Sequence, residues 1–147
     1  MKKKEAVADE MSLFYRRSKK HRLRITPQRT LIYQELLKSR NHPTADDIYK
    51  RIVEKIPNIS FDTVNRTLIT FSKIGITNVV EGYGQSKRYD PDMGVHHHFR
   101  CVQCGSIIDF QNKAYDGLPV PEEISRRFTV MSQKVVLEGL CGKCRKG

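Results

Sequence analysis

Residues 94–110 read GVHHHFRCVQCGSIIDF. Three consecutive histidines run into a Cys-x-x-Cys pair, and an aspartate follows inside an apolar stretch. On a strand, successive side chains alternate faces, so His96 and His98 share one face and His97 takes the other. Two imidazoles on one face begin a nitrogen-rich metal site. Asp109, in SIIDF on a neighbouring strand, needs a cation or hydrogen bonds if buried, and is a solvent-facing strand residue if not.

All four cysteines fall in two pairs, Cys101/Cys104 and Cys141/Cys144, separated by 36 residues. Two such pairs make a tetrahedron of four thiolates, the donor set of a closed, structural zinc site. A redox-active pair is the rival reading, but no βαβ pattern surrounds either one. A filled tetrahedron has no room for histidines. The opening stretch therefore contributes to two sites, one of sulfur and one of nitrogen and oxygen. Mixed imidazole and carboxylate donors suit Fe(II), Mn(II) or Zn(II) better than Cu(I).

Upstream, three segments open with helix caps. Thr26-Pro27 precedes QRTLIYQELLKS, with Leu31, Ile32, Leu36 and Leu37 at helical spacing. Thr44 with Asp47 three residues on forms a box-like start, followed by Ile48, Ile52 and Val53. Ser60 caps a third helix, with Asp62 in its first turn and Val64, Leu68 and Phe71 facing inward. A further helix is predicted over residues 5–21. TNVVEGYGQSKRYD then alternates like two strands around Gly82-Tyr83-Gly84. Short helices followed by a hairpin describe a winged helix-turn-helix, whose last helix enters the major groove. There it presents Thr63, Asn65, Arg66 and Thr67. Asn suits adenine, and Arg suits guanine or phosphate.

Charge supports that reading. The 147 residues carry a formal net charge of +11. Residues 1–92 hold 19 Lys and Arg against 11 Asp and Glu, and the remainder 8 against 5. The densest run, RRSKKHRLR, includes Arg24 and has no acidic residue between Met11 and Gln34. Unbalanced positive charge marks a nucleic-acid partner. No run of 18 apolar residues spans a membrane. The basic start lacks an apolar segment after it, so the expected location is cytoplasmic.

YDPDMG, residues 89–94, reads as a linker. Beyond it, HHHFRCV, SIIDF and TVMSQKVVLEGLC read as strands and VPEEISRRF as a short helix. Such a small α+β domain needs a metal or a partner chain for stability. The predicted organisation is a DNA-binding domain over residues 1–90 and a metal-binding dimerisation domain over residues 91–147.

Several motifs occur in an order that resembles the ferric uptake regulator family of metal-dependent repressors. They are TPQR (26–29), HPTADDIY (42–49), DTVNRTL (62–68), RYD (88–90), HHHFRCVQCG (96–105), IIDF (107–110) and CGKC (141–144). The resemblance spans roughly residues 10–145. It implies a homodimer that reads a near-palindromic operator in double-stranded DNA, with structural zinc on the four cysteines. It also implies a regulatory metal, Fe(II) or Mn(II), on His42, Asp90, His96, His98 and Asp109. Spacing alone leaves His42 open to a surface-loop reading and Asp90 a linker residue.

Both carboxylates are Asp here, as is common in the peroxide-responsive branch; iron-sensing members commonly have Glu. In that branch bound iron reacts with peroxide and a ligand imidazole takes up oxygen, which ends repression. By position, His42 and His96 would be oxidised. An iron-responsive repressor of uptake genes is the alternative. A metal-dependent enzyme is a remote one, since no HExxH or Gly-rich loop supports it. Two departures stand out. Many members have Tyr where this chain has Asn65, and Val95 and Gln133 stand here at ligand positions of a further metal site of some members, so no third site is expected.

Overall fold

The computed structural model describes residues 2–39, 41–80 and 86–147, with side chains from residue 8 onward. The chain divides into two compact units, Met1–Met93 and Gly94–Gly147.

The first unit holds α1 (Lys2–Lys20), α2 (Pro27–Lys38), α3 (Ala45–Lys55), α4 (Phe61–Lys73), β1 (Asn78–Val80) and β2 (Arg88–Asp90). Each predicted cap forms. Thr26 accepts from the Arg29 N–H, and Ser60 from the Thr63 N–H. Thr44 and Asp47 make a reciprocal capping box. Each such cap contributes about 1 kcal/mol. Phe14, Ile32, Tyr33, Leu36, Ile48, Ile52, Val64, Leu68, Phe71 and Tyr89 build the core. Phe14 stacks on Tyr33 at 4.9 Å, and Phe71 meets both rings edge-on. Gly75, at φ +79°, ends α4 in a left-handed conformation and turns the chain toward β1. β1 and β2 pair antiparallel, Asn78 opposite Asp90. This is a winged helix-turn-helix. The Gly82-Tyr83-Gly84 turn lies outside the described residues.

The linker reading of YDPDMG is corrected at its start. Tyr89 and Asp90 belong to β2, and both are buried. They end the second strand of the hairpin read in TNVVEGYGQSKRYD, and pairing with β1 gives their backbone its ladder.

The second unit holds β3 (His97–Cys101), β4 (Ile107–Phe110), α5 (Lys113–Asp116), α6 (Glu122–Ser125) and β5 (Val136–Gly139). The sheet order is β4-β3-β5, with β4 antiparallel and β5 parallel to the central strand. Only residues 136–139 of the long predicted last strand pair. α5, capped by Asn112, was not anticipated. Among the described residues of this unit, the buried side chains are His96, His97, His98, Arg100 and Cys101. An interior of imidazoles, a guanidinium and a thiol offers little hydrophobic stabilisation.

Candidate metal centres

Cys101 closes β3 and Cys104 sits in the turn after it, where Gly105 takes φ +75°. Cys141 follows β5, and Cys144 opens a short 3-10 turn. β3 pairs directly with β5, Cys101 opposite Gly139, so the fold itself brings the two Cys pairs together. All four sulfurs lie within 4.8 Å of one another, and Cys104 Sγ is 3.8 Å from Cys141 Sγ. Zinc–thiolate bonds of about 2.3 Å in a tetrahedron place sulfurs about 3.8 Å apart, so the donor set fits zinc.

Backbone N–H groups of Cys104 and Cys141 stabilise the Cys101 thiolate and hold its pKa down to about 6. Cys144 is pushed up to about 12, chiefly by its hydrogen bond to Cys141. Concentrated sulfur charge of this kind calls for a cation.

Each unit also carries an imidazole–carboxylate pair. In the first, His42 is 4% exposed and takes φ +49°. A left-handed histidine costs about 1–3 kcal/mol unless its surroundings hold it. Here Arg88 Nη1 donates to the carbonyls of His42, at 3.2 Å, and Asn41, at 3.3 Å. The Tyr89 N–H donates to Pro43 at 2.9 Å, and Thr44 bridges Arg88 across the ladder. The loop is thereby stitched to β2. His42 Nε2 comes to 3.4 Å from Asp90 Oδ2. The other Asp90 oxygen accepts from the Asp92 N–H, and the Thr77 hydroxyl donates to the Asp90 carbonyl.

In the second unit His98 and Asp109 face each other in the β3–β4 register. Their closest atoms, Nε2 and Oδ1, are 3.1 Å apart, and His96 Nε2 is 3.9 Å from the same oxygen. The His96 and His98 rings lie 4.8 Å apart on one face, as the alternation requires. His96 Nδ1 donates to the Gly94 carbonyl at 2.8 Å, which leaves Nε2 as the lone-pair nitrogen. A carbonyl behind the ring in this way is what a metal-binding histidine needs. The imidazoles and Asp90 are buried and Asp109 is exposed; paired imidazole and carboxylate donors of this kind suit Fe(II) or Mn(II).

His97 is different. Its Nδ1 accepts from the Val135 N–H at 3.1 Å, and its Nε2 donates to Asp116 at 2.8 Å. Phe110 and Tyr115 flank the ring. Both nitrogens are engaged, so this histidine clasps β3 to α5 and to the approach of β5. Sequence reasoning missed that clasp, and it missed Arg88, although RYD was noticed as a motif. Gln133 donates to the Leu118 carbonyl at 2.5 Å.

On α4, Thr63 and Asn65 are half-buried and Arg66 is exposed, paired with Asp62 at 2.9 Å. Thr67 is set apart: it is 7% exposed, and its hydroxyl donates back to the Thr63 carbonyl. It packs the helix rather than presenting a donor. Arg24 is exposed in the segment between α1 and α2.

The model of the ferric uptake regulator family matches residues 20–138. The chain is 33% identical over 142 residues to the peroxide-responsive repressor PerR of Staphylococcus epidermidis, covering 97% of this chain and 95% of that protein. Among solved structures, the Campylobacter jejuni peroxide stress regulator matches with a TM-score of 0.65 and 30% identity, covering 86% of this chain and 95% of that one. The Helicobacter pylori ferric uptake regulator, at 23% identity, shares the fold with a TM-score of 0.73 over 95% of this chain and 94% of that one. This chain belongs to the ferric uptake regulator family. These relatives are regulators, not enzymes, and the metalloenzyme alternative falls away.

Proposed function

We propose that this metal-dependent repressor senses peroxide through oxidation of a ligand histidine. The observation that carries the reading is the pair of imidazole–carboxylate contacts, His42 with Asp90 and His98 with Asp109. In the proposal these four residues and His96 hold one Fe(II) or Mn(II) together. When bound, iron supplies the one-electron chemistry that activates peroxide.

The chain's own residues decide where oxidation falls. Gly94 fixes the His96 ring with Nε2 forward. Arg88 holds the strained His42 loop against β2. Both rings are buried and confined, so an oxidant made beside them meets an imidazole before it escapes. An oxidised ring would be a poor ligand, so His42 or His96 would no longer hold the metal. That both carboxylates are Asp, and that relatives bearing the peroxide-responsive name align over most of the chain, supports this branch over an iron-responsive repressor.

Residues 1–90 read DNA through Thr63, Asn65 and Arg66 on α4, with Arg24 and its basic neighbours on phosphates. Residues 91–147 dimerise. Ile108, Phe128, Met131, Leu137 and Leu140 are exposed on this unit, an apolar surface suited to a second copy. A two-fold dimer meets a near-palindromic operator half-site by half-site. Among the described residues no helix is long and apolar enough to cross a membrane; the proposed location is cytoplasmic, where thiolates stay reduced for zinc.

The test is operator binding by the His96→Ala variant with Mn(II) present. The expected result is a folded, zinc-loaded protein that no longer responds to the metal. Undiminished metal-dependent binding would overturn the assignment.

A further inference from the structure

A cleft of about 380 Å³ opens in the first unit. Lys38 and Ser39 at the end of α2, Asn41 in the following loop, Asp47 and Arg51 on α3, and Arg88 on β2 line it. Three cations meet one carboxylate there. Asp47 Oδ2 accepts both the N–H and the hydroxyl of Thr44 at 2.9 Å, and these bonds together with the nearby charges of Arg88 and Arg51 hold its carboxyl below the ordinary value. Arg51 donates to the Ser39 hydroxyl, and Arg88 to the Asn41 and His42 carbonyls. A guanidinium carries five N–H donors, more than these contacts use.

We propose that this cleft binds a phosphate group, and that Arg88 links its occupancy to the His42 loop. The guanidinium forks of Arg51 and Arg88 and the Asn41 amide converge on the cleft, while the Lys38 ammonium is shared with Glu35 at 3.0 Å and the Ser39 hydroxyl donates to the Glu35 carbonyl at 2.9 Å. Tetrahedral, doubly charged oxygen clusters accept from several directions at once, which suits donors so arranged. The cleft exceeds a bare phosphate ion and leaves room for whatever the phosphate is attached to. Arg88 forms one wall and also restrains His42. A phosphate that draws the guanidinium inward loosens that restraint, so phosphate and metal oppose each other. The opposition is reciprocal, each weakening the other's binding equally. The linkage rests on His42 being a metal ligand; the phosphate site does not.

The experiment is calorimetric titration of the zinc-loaded, otherwise metal-free full-length protein with inorganic phosphate, at constant ionic strength against chloride. Saturable binding of one phosphate per chain is expected, weakened about tenfold or more by Arg51→Ala, an exposed position where folding should survive. No saturable binding, or binding that Arg51→Ala leaves unchanged, would overturn the site. A second titration with the operator duplex bound separates the sources of phosphate. Persistent binding assigns the cleft to a free phosphate compound. Lost binding, with a salt slope of DNA affinity reduced by about one in Arg51→Ala, assigns it to the DNA backbone. For the linkage, phosphate should weaken Mn(II) binding about fivefold in the wild type, and far less in Arg88→Lys, which keeps charge but loses the fork. An Mn(II) affinity indifferent to phosphate would remove the link. If His42→Ala still binds phosphate but Mn(II) binding never depended on His42, the metal assignment has failed and the cleft has not.

Discussion

Asp109 stands directly opposite His98 across the β3–β4 ladder, with its Oδ1 3.1 Å from the His98 Nε2. Register alone makes this contact, so one residue of slip would send the carboxylate to the opposite face. His96 faces the same oxygen at 3.9 Å. Asp109→Ala should therefore lower Mn(II) affinity by about 10- to 100-fold while the zinc content stays constant. Mn(II) titration followed by electron paramagnetic resonance measures it. An unchanged affinity would remove Asp109 from the ligand set.

The second unit depends on its thiolates, because its buried side chains are mostly polar. Cys144→Ser should abolish zinc binding, melt the β4-β3-β5 sheet and dissociate the dimer. The helical first unit, which has its own core, should keep its circular dichroism. Elemental analysis reports the loss of zinc and ultracentrifugation the loss of the dimer. A stable zinc-free dimer would refute the structural role.

His97 and its neighbours should separate cleanly. His97→Ala removes the acceptor for the Val135 N–H and the donor to Asp116. Leaving those groups unsatisfied should cost the second unit about 1–3 kcal/mol. His96→Ala should abolish metal-dependent operator binding at little cost in stability. Denaturant melts with and without Mn(II) distinguish the two. Equal stability loss in both variants would contradict the division of roles.

Glu35 supplies a pH test in the first unit. Burial pushes its carboxyl up, but hydrogen bonds from Lys55 and Lys38 outweigh this and hold it below its ordinary value of 4.5. A depressed carboxyl stabilises the fold above about pH 4.5, and that contribution is lost as pH falls through the lower folded value. Glu35→Gln should destabilise the unit by about 1–2 kcal/mol at pH 7. The difference should shrink below pH 4.5. A difference constant with pH would sink the ion-pair account.

What the sequence disclosed follows how local each determinant is. Thr26, Thr44 and Ser60 cap the helices through bonds spanning three residues, so they are readable from the chain directly. The His96/His98 face follows from strand alternation, and the sulfur cluster from paired spacing. The His42 loop is another matter. Its left-handed backbone and its tether come from Arg88, 46 residues away. Asp90 looked like a linker residue for the same reason: its burial depends on a partner strand. Resemblance supplied both residues where spacing could not. The His97 clasp was illegible, because Asp116 and Val135 lie 19 and 38 residues downstream. Thr67 is buried and its hydroxyl turns back on the Thr63 carbonyl, which its polar character on an amphipathic helix did not reveal.

The most direct measurement is peptide mass spectrometry after peroxide exposure of protein loaded anaerobically with Fe(II) or Mn(II). The expected result is one added oxygen on the peptide carrying His42 or His96, with iron and not with manganese, together with loss of operator binding. Iron-dependent operator binding that survives peroxide, with no oxidised histidine, would contradict peroxide sensing and leave an iron-responsive repressor.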